Sequence, residues 1–499
     1  MTNLIITQKD QTHLIVRTDD ESMRKNLVKY FSYEVKNYKY TPRYKNSRGR
    51  WDGRQSLYTE ATGLLLIGLY HHLINFSDNN NLNVISDYEA PCNNITIEET
   101  LNFIDKLNVQ SNGASMELYD YQIEAIHQSL KYERILLLSP TSSGKSVILY
   151  GIVRALLRKN LKILICVPST SLVTQLASDF KDYSSKSKWD VDTHFNFIYY
   201  GTERNLEQSA ISTWQSATKL SKEQLESYDV IIADEVHTFD AKCTSALVKS
   251  CSNAKIRIGC TGTLADTKTP ITQLQGLFGH VLKTISVRDL IDSGRAAKPI
   301  YHTAVLKYPE AIKNDVDIAD YHKEMEWLIG SVERQRCVTN LANKLSGNTL
   351  CIFNYVDGHG RLLYNMMKAK LTNKIVLFIS GETPVVERDR IKELFKTHNN
   401  ILLVASAGTF STGLSIKQID NLIVTSPTKS RIRFFQTLGR ILRMCEGKTT
   451  ANVFDIIDDI RHNNKINYTF RHGRERMLML ESENIDYDIV EVDMQKYYN

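Results

Sequence analysis

The stretch "RILLLSPTSSGKS", Arg134 to Ser146, decides how the rest of the chain is read. Leu136 to Leu138 supply an apolar strand, Thr141 to Gly144 are small and conformationally permissive, and Val147 to Leu157 read as a helix. Strand, small-residue turn and helix together form the context in which backbone N–H groups and a helix N-terminus face a phosphate. Gly144 lets the main chain approach the ligand closely. Lys145 is placed to reach the β- and γ-phosphates, and the Ser146 hydroxyl to hold Mg2+. Ser139, Thr141, Ser142 and Ser143 complete the cradle. Ser139 occupies the position that usually holds the first glycine of such a loop, and it is small enough for the place.

Around this loop the chain keeps one rhythm. Short apolar runs ("KILICVPS", "FNFIYYG", "DVIIADE", "IRIGCTGT") alternate with helix-like segments. A second series follows ("TLCIFNY", "IVLFISG", "NILLVAS", "NLIVTSP", "TTANVFDIID"). Strands alternating with helical patterns predict parallel α/β sheets, here two in tandem with a boundary near Lys298–Pro299. Residues before about 110 read differently, as short strands ("NLIIT", "HLIVRT", "GLLLIGLYHHLINF", "NVIS") closed by a helix at "EETLNFIDKL". "NVQSNGASMEL" is the natural linker. The expected organisation is a small α+β domain over 1–110, α/β domains over 113–298 and 299–480, and a C-terminal tail over 481–499.

A second chemical signal is "VIIADEVH". An apolar strand delivers Asp234 and Glu235 at its C-terminal edge, where parallel α/β sheets bind ligands. Asp234 is expected to hold Mg2+ and Glu235 to act as base or positioner for an attacking water. "FFQTLGRILR" has helical spacing, so Gln436, Arg440 and Arg443, at i, i+4 and i+7, are expected on one face. Two arginines there can address an anion as phosphoryl transfer proceeds.

In order, these motifs resemble the superfamily 2 helicases, whose two RecA-like domains sandwich ATP. "LYDYQIEAI" is similar to the Q motif, which implies that Gln122 reads the adenine. "VPSTSLVTQ" and "STWQS" resemble the strand-contacting motifs, and "TGT" (261–263) resembles motif III. "ASAGTFSTGLS" (405–415) resembles motif V and "QTLGRILR" (436–443) motif VI. Family members often carry an Asp two residues after the motif V glycine. Here Gly413 is followed by Leu414 and Ser415, which leaves Ser415 as the candidate ribose contact. The resemblance implies ATP and Mg2+ as cofactors and an ATP-driven motor on nucleic acid.

Composition points to the same partner. The net charge is only +6, yet Arg24 to Arg54 holds ten Lys or Arg against Glu34 and Asp52, a larger local excess than the whole chain carries. Within it, "KNYKYTPRYKNSRGRWDGR" interleaves Tyr38, Tyr40, Tyr44 and Trp51 with cations. Cations neutralise phosphates and aromatic faces stack on unpaired bases. Arg43, Lys45, Arg48, Trp51 and Arg54 are therefore the expected DNA contacts. Tyr40 to Tyr44 and the Trp-Asp-Gly-Arg at 51–54 resemble the UvsW-type branch-migration helicases of T4-like bacteriophages. That implies action on Holliday junctions, stalled forks or R-loops in recombination, repair and replication. An RNA or RNA–DNA hybrid helicase, and a motor subunit without strand separation, stay open as alternatives.

No run of 18 apolar residues occurs, so no membrane span is expected. The N-terminal residues lack the features of a signal peptide. None of the eight cysteines forms a C-x-x-C pair, and Cys166, Cys260 and Cys351 lie in or beside apolar, strand-like runs, so buried reduced thiols in a reducing compartment are expected. A cytoplasmic protein, acting as a monomer, is the expectation.

Overall fold

The structure, a computed structural model, describes residues 2–35, 38–199, 207–239, 241–263, 271–413, 416–426 and 430–498. The chain divides into two compact units. One comprises 1–139 with 144–284, the other 285–499 with the short segment 140–143.

The first unit is built on a seven-stranded sheet. From edge to edge its strands are Phe195–Ile198, Ser209–Thr213, Ile163–Val167, Val230–Ala233, Ile256–Thr261, Arg134–Leu138 and His280–Lys283. Every pairing is parallel. The central strands are buried along their whole length, as expected where helices cover both faces of a parallel sheet. The strands that end at the phosphate loop and at Asp234 flank Ile256–Thr261. Loop, acidic pair and "TGT" thus emerge side by side at one sheet edge.

The N-terminal residues form a four-stranded sheet ordered Leu64–Leu66, His13–Arg17, Asn3–Gln8, Asn83–Ser86. "GLLLIGLYHHLINF" departs from its reading as a strand. Only Leu64–Leu66 is extended, and Tyr70–Asn79 is an α-helix. The buried side chains there, Leu69, Leu73 and Phe76, recur at helical spacing and not in alternation.

This module is continuous with the first large sheet. Leu4, Ile6, Leu14 and Leu73 share one apolar core with Leu136, Leu164, Leu277 and Phe278. Gly68 makes the close approach possible, because a Cβ there would lie 2.2 Å from the Gln275 carbonyl oxygen. The buried Arg257 donates to Thr12 Oγ1 at 3.0 Å, and Arg134 to the Gln11 carbonyl at 2.7 Å.

The second unit repeats the parallel architecture with seven strands, from Ile375–Ile379 at one edge to Tyr487–Asp493 at the other. Two sequence expectations change here. Lys298 and Pro299 do not mark a boundary. They open the ten-residue strand Lys298–Lys307, and the first unit already ends at residue 284. The stretch from 481 is not a tail: "YDIVEVD" pairs with Lys298–Lys307 from Tyr301↔Tyr487 to Lys307↔Asp493 and completes the sheet. Its β-branched residues suit a strand, and its acidic ones suit an exposed edge.

Buried ion pairs tie helices to this sheet. Arg334 is 1% exposed and donates to both Asp458 oxygens, at 2.8 and 3.0 Å, and to the Thr425 carbonyl. Tyr308 donates to the same carboxylate. Arg476 and Asp455 form a second such pair. The eight cysteines are all free, with Cys166, Cys260 and Cys351 buried as expected. Among the described residues no helix is long and apolar enough to cross a membrane.

Arg334→Leu should cost the second unit about 3–5 kcal/mol, because Asp458 is left as a buried unpaired charge. Arg334→Leu with Asp458→Leu should recover much of that loss. Denaturant unfolding checks both, and a single substitution no more costly than the double would contradict the reading.

Candidate nucleotide site

The phosphate loop begins at a residue pinned from two sides. Ser139 is fully buried; its N–H donates to the Thr261 carbonyl at 2.8 Å and its hydroxyl accepts from Thr284 Oγ1 at 3.2 Å. The serine in the usual glycine position is thus held by Thr284, the last residue of the first unit. Beyond it, Thr141 and Ser142 are half-buried, and the Ser143 hydroxyl donates to the Pro140 carbonyl at 2.7 Å. Ser142 and Gly144 take left-handed conformations, with φ of 74° and 78°. Alternation of this kind turns successive N–H groups toward a common point, the geometry of an anion nest.

Gly144 cannot be replaced without disturbance, since a Cβ there would lie 2.3 Å from Gln122 Nε2. Gln122 itself is buried and accepts from the Tyr119 N–H at 3.0 Å, bracing the start of helix Asp120–Lys131. The structure therefore brings the Q-motif glutamine onto the phosphate loop.

At the start of helix Lys145–Leu157, the Lys145 ammonium lies between the two acids. Its Nζ is 3.3 Å from Asp234 Oδ1 and bonds Glu235 Oε1. The side chains of Lys145 and Asp234 are each 14% exposed. Burial would depress the lysine pKa, but the charges of Asp234 and Glu235 override it and the ammonium is held above its ordinary range. Burial pushes the Asp234 carboxyl up. The Lys145 charge opposes this, the Glu235 charge adds to it, and the net shift is upward. One ammonium thus faces two carboxylates in a poorly solvated place, so the cluster is short of positive charge.

That shortage is what a divalent cation would supply, so Asp234 and the Ser146 hydroxyl, next in the chain to Lys145, fit a Mg2+ role. Among the described residues no group of three His, Cys, Asp or Glu side chains gathers to hold a metal. Mg2+ is commonly held by only one or two protein ligands together with substrate phosphates.

The acids are set by the turn that carries them. Asp234 N–H donates to the Cys166 carbonyl at 2.8 Å, and Asp234 Oδ1 accepts from the Glu235 N–H at 2.9 Å. Glu235 is left-handed, with φ of 48°, and begins a short 3-10 turn over Val236–Thr238. His237 is buried; its Nδ1 lies 2.8 Å from Thr261 Oγ1 and 3.3 Å from Glu235 Oε2. Thr261 thus touches both halves of the site, taking Ser139 through its carbonyl and His237 through its hydroxyl. Thr284 and this double role of Thr261 were not evident from the sequence. Their signal is spatial, arising from strands adjacent in the sheet but distant in the chain.

In the second unit, helix Arg431–Ile441 carries Gln436 and Arg440, both half-buried. Arg443 does not share their helical face, because the helix ends at Ile441 with Leu442 as its cap. Two groups stop it. The Leu442 carbonyl accepts from the Ala297 N–H, and the buried Lys448 ammonium occupies the Ile441 carbonyl at 2.5 Å. Gly413 closes helix Ala407–Gly413, and Leu414 and Ser415 lie outside the described residues.

The basic N-terminal segment is an ordered knot on the stem of Ser32–Glu34 and Arg54–Ser56. Thr41 caps the short helix Pro42–Asn46. The Arg43 guanidinium lies 4.4 Å over the Trp51 ring, and Trp51 Nε1 donates to the Arg54 carbonyl at 2.8 Å. Tyr38 packs edge-on against Tyr44 and Trp51. Lys45, Arg48 and Arg54 are exposed at the rim. Trp51, expected to stack on a base, is half-buried, whereas Tyr40 is 81% exposed. Lys36 and Asn37 lie outside the described residues.

Two parallel sheets, one carrying this loop and acidic pair and the other an arginine-bearing helix, define a nucleoside-triphosphate-dependent helicase core. Family models agree. Residues 4–87 match "DNA helicase UvsW, N-terminal", 115–266 match "Type III restriction enzyme, res subunit", and 333–445 match "Helicase conserved C-terminal domain". The ATP-dependent DNA helicase uvsW of Enterobacteria phage T4 is 30% identical over 96% of this chain and 98% of its own. The crystal structure of T4 UvsW aligns with a TM-score of 0.53 at 28% identity, covering 99% of this chain and all of that one. The DNA 3'-5' translocase XPB2 of Sulfurisphaera tokodaii is 24% identical over 70% of this chain and 83% of its own. The chain belongs to the UvsW family of superfamily 2 ATP-dependent DNA helicases.

Ser139→Gly should leave nucleotide affinity within about threefold, since the serine hydroxyl is held by Thr284. Fluorescent-nucleotide titration checks this, and a loss of tenfold or more would place the hydroxyl in the binding cradle itself.

Proposed function

We propose that this protein hydrolyses ATP to drive unwinding or branch migration of branched DNA such as Holliday junctions, stalled forks and R-loops. The observation that carries the reading is the Lys145 ammonium shared by Asp234 and Glu235 beside an anion nest. An ammonium so placed can exchange one set of anions for another, leaving the carboxylates for the β- and γ-phosphates of ATP. Glu235, released from the lysine and still beside His237, is then free to position the attacking water.

Ser146 and Asp234 would hold Mg2+, which when bound neutralises charge on the phosphates. Gln122, through its seat against Gly144, would make adenine recognition felt in the phosphate loop. Gly413 and Gln436 are assigned to the nucleotide on the family resemblance. Arg440 and Arg443 are assigned to phosphoryl transfer on the same resemblance, an effect on the order of 10³–10⁵ in rate where one arginine does so. The domain roles follow: the N-terminal module for DNA, residues 113–284 for ATP, and the second unit for the arginines.

The N-terminal knot supports DNA as the track. Arg43, Lys45, Arg48 and Arg54 give it charge, and Tyr40 gives it an exposed aromatic face. The module that carries the knot shares its apolar core with the sheet that carries Lys145, Asp234 and Glu235. The charge and the aromatic face suit a strand with unpaired bases, as at a junction.

Glu235→Gln should lower the hydrolysis rate by about 10²–10⁴ while nucleotide still binds. Phosphate-release kinetics with a binding titration check this, and near wild-type turnover would remove Glu235 from the water-positioning role. Forked DNA should stimulate the ATPase more than single-stranded RNA. Arg43→Ala, Arg48→Ala and Trp51→Ala together should weaken fork binding, with a shallower salt dependence, and spare basal hydrolysis. Stimulation by RNA alone would favour the RNA-helicase reading, and unchanged fork affinity would take the knot out of the DNA path.

A further inference from the structure

Helix Thr170–Tyr183 begins at the motif resembling a strand contact and ends on a residue that no motif assigns. The Tyr183 hydroxyl lies 2.7 Å from Ser146 Oγ, the hydroxyl assigned above to Mg2+. We propose that Tyr183 is a positioning residue for the metal site: it holds the Ser146 hydroxyl in the orientation that ligates Mg2+. The inference rests on the nucleotide-site reading of Ser146.

The stoichiometry of a hydroxyl allows both contacts. Serine has one donor hydrogen and two acceptor lone pairs. A metal takes a lone pair, so the hydrogen needs an acceptor, and the Tyr183 oxygen already stands at hydrogen-bond distance. Accepting that hydrogen fixes the rotor and makes the serine oxygen a better donor of its remaining electrons. Such outer contacts typically change metal affinity by about 10–100-fold.

Tyr183 is itself held in place. Its ring packs on Tyr150 with centroids 5.5 Å apart. The Tyr150 hydroxyl accepts from Arg154, whose guanidinium lies 4.7 Å over the Trp189 ring. Next to Tyr183, the Asp182 carboxylate accepts from the Asn112 N–H at 3.0 Å, tying the end of the helix to the turn after Ser111. The phenol is thus delivered to Ser146 by a packed surround. The helix it closes starts with exposed Thr170 and Ser171, at the other end, where the family motif touches the strand. One rigid helix therefore connects the strand-contacting motif to the metal-ligating hydroxyl.

The test is the Mg2+ dependence of mant-ADP binding to the full chain, with no turnover required. Tyr183→Phe should raise the Mg2+ concentration needed for half-maximal binding by roughly tenfold. Affinity for mant-ADP in EDTA and the melting temperature should stay as in wild type. Ser146→Ala should lose the Mg2+ dependence, and Tyr183→Phe added to it should have no further effect. Ser146→Thr, which keeps a hydroxyl, should stay sensitive to Tyr183→Phe. A Mg2+ dependence unchanged or tightened by Tyr183→Phe would overturn the inference while leaving the site reading intact. Wild-type binding indifferent to Mg2+ would overturn the site reading and this inference together.

Discussion

In the first unit one ammonium, that of Lys145, sits between two carboxylates where inner strands of a parallel sheet end, and the neighbouring groups are tied to it. Burying two acids beside each other is costly, and the upward shift of Asp234 records that cost. The lysine offsets it only in part. A site built this way is short of positive charge, and its components suit a polyanion that arrives with a cation. The lysine has new anions to bind and the acids have new positive charge to face.

The same economy explains how the surroundings are tied to the cluster. Thr261 takes the start of the phosphate loop through its main chain and His237 through its side chain. Gln122 presses on Gly144. Thr284, where the first unit ends, holds Ser139. A shift of the loop would therefore be felt at His237, at helix Asp120–Lys131 and at the point where the chain leaves the unit. The N-terminal module shares its apolar core with the same sheet, so its cation-rich knot belongs to the same unit as Lys145, Asp234 and Glu235.

Much of this was legible in the sequence, for a physical reason. Buried parallel strands are short runs of Val, Ile and Leu, and the chemistry of the fold sits just after them. Leu136 to Ser146 and Ile231 to His237 therefore announced the strands and the polar turns that follow them. The misreadings share a cause too. The segment 64–76 is apolar enough to pass for a strand, and only the burial of Leu69, Leu73 and Phe76 shows its period. Arg443 follows a good helical pattern, but Lys448 and Ala297, remote from that pattern, end the helix before it. The 481–499 segment is charged enough to read as a tail, yet it becomes a strand because Lys298–Lys307 would otherwise be a long open edge. Tyr183 and Thr284 carry no motif at all, and only their neighbours in space give them a role.

The central claim is that Lys145 exchanges its carboxylate partners for nucleotide phosphates. Isothermal titration of Mg2+ with ADP–beryllium fluoride into the wild-type chain and into Lys145→Met measures that exchange most directly. The account predicts that the substitution weakens binding by about 100-fold or more, equivalent to about 2.7 kcal/mol, with ADP alone affected less. Equal affinity of the two proteins for the beryllium fluoride complex would contradict it.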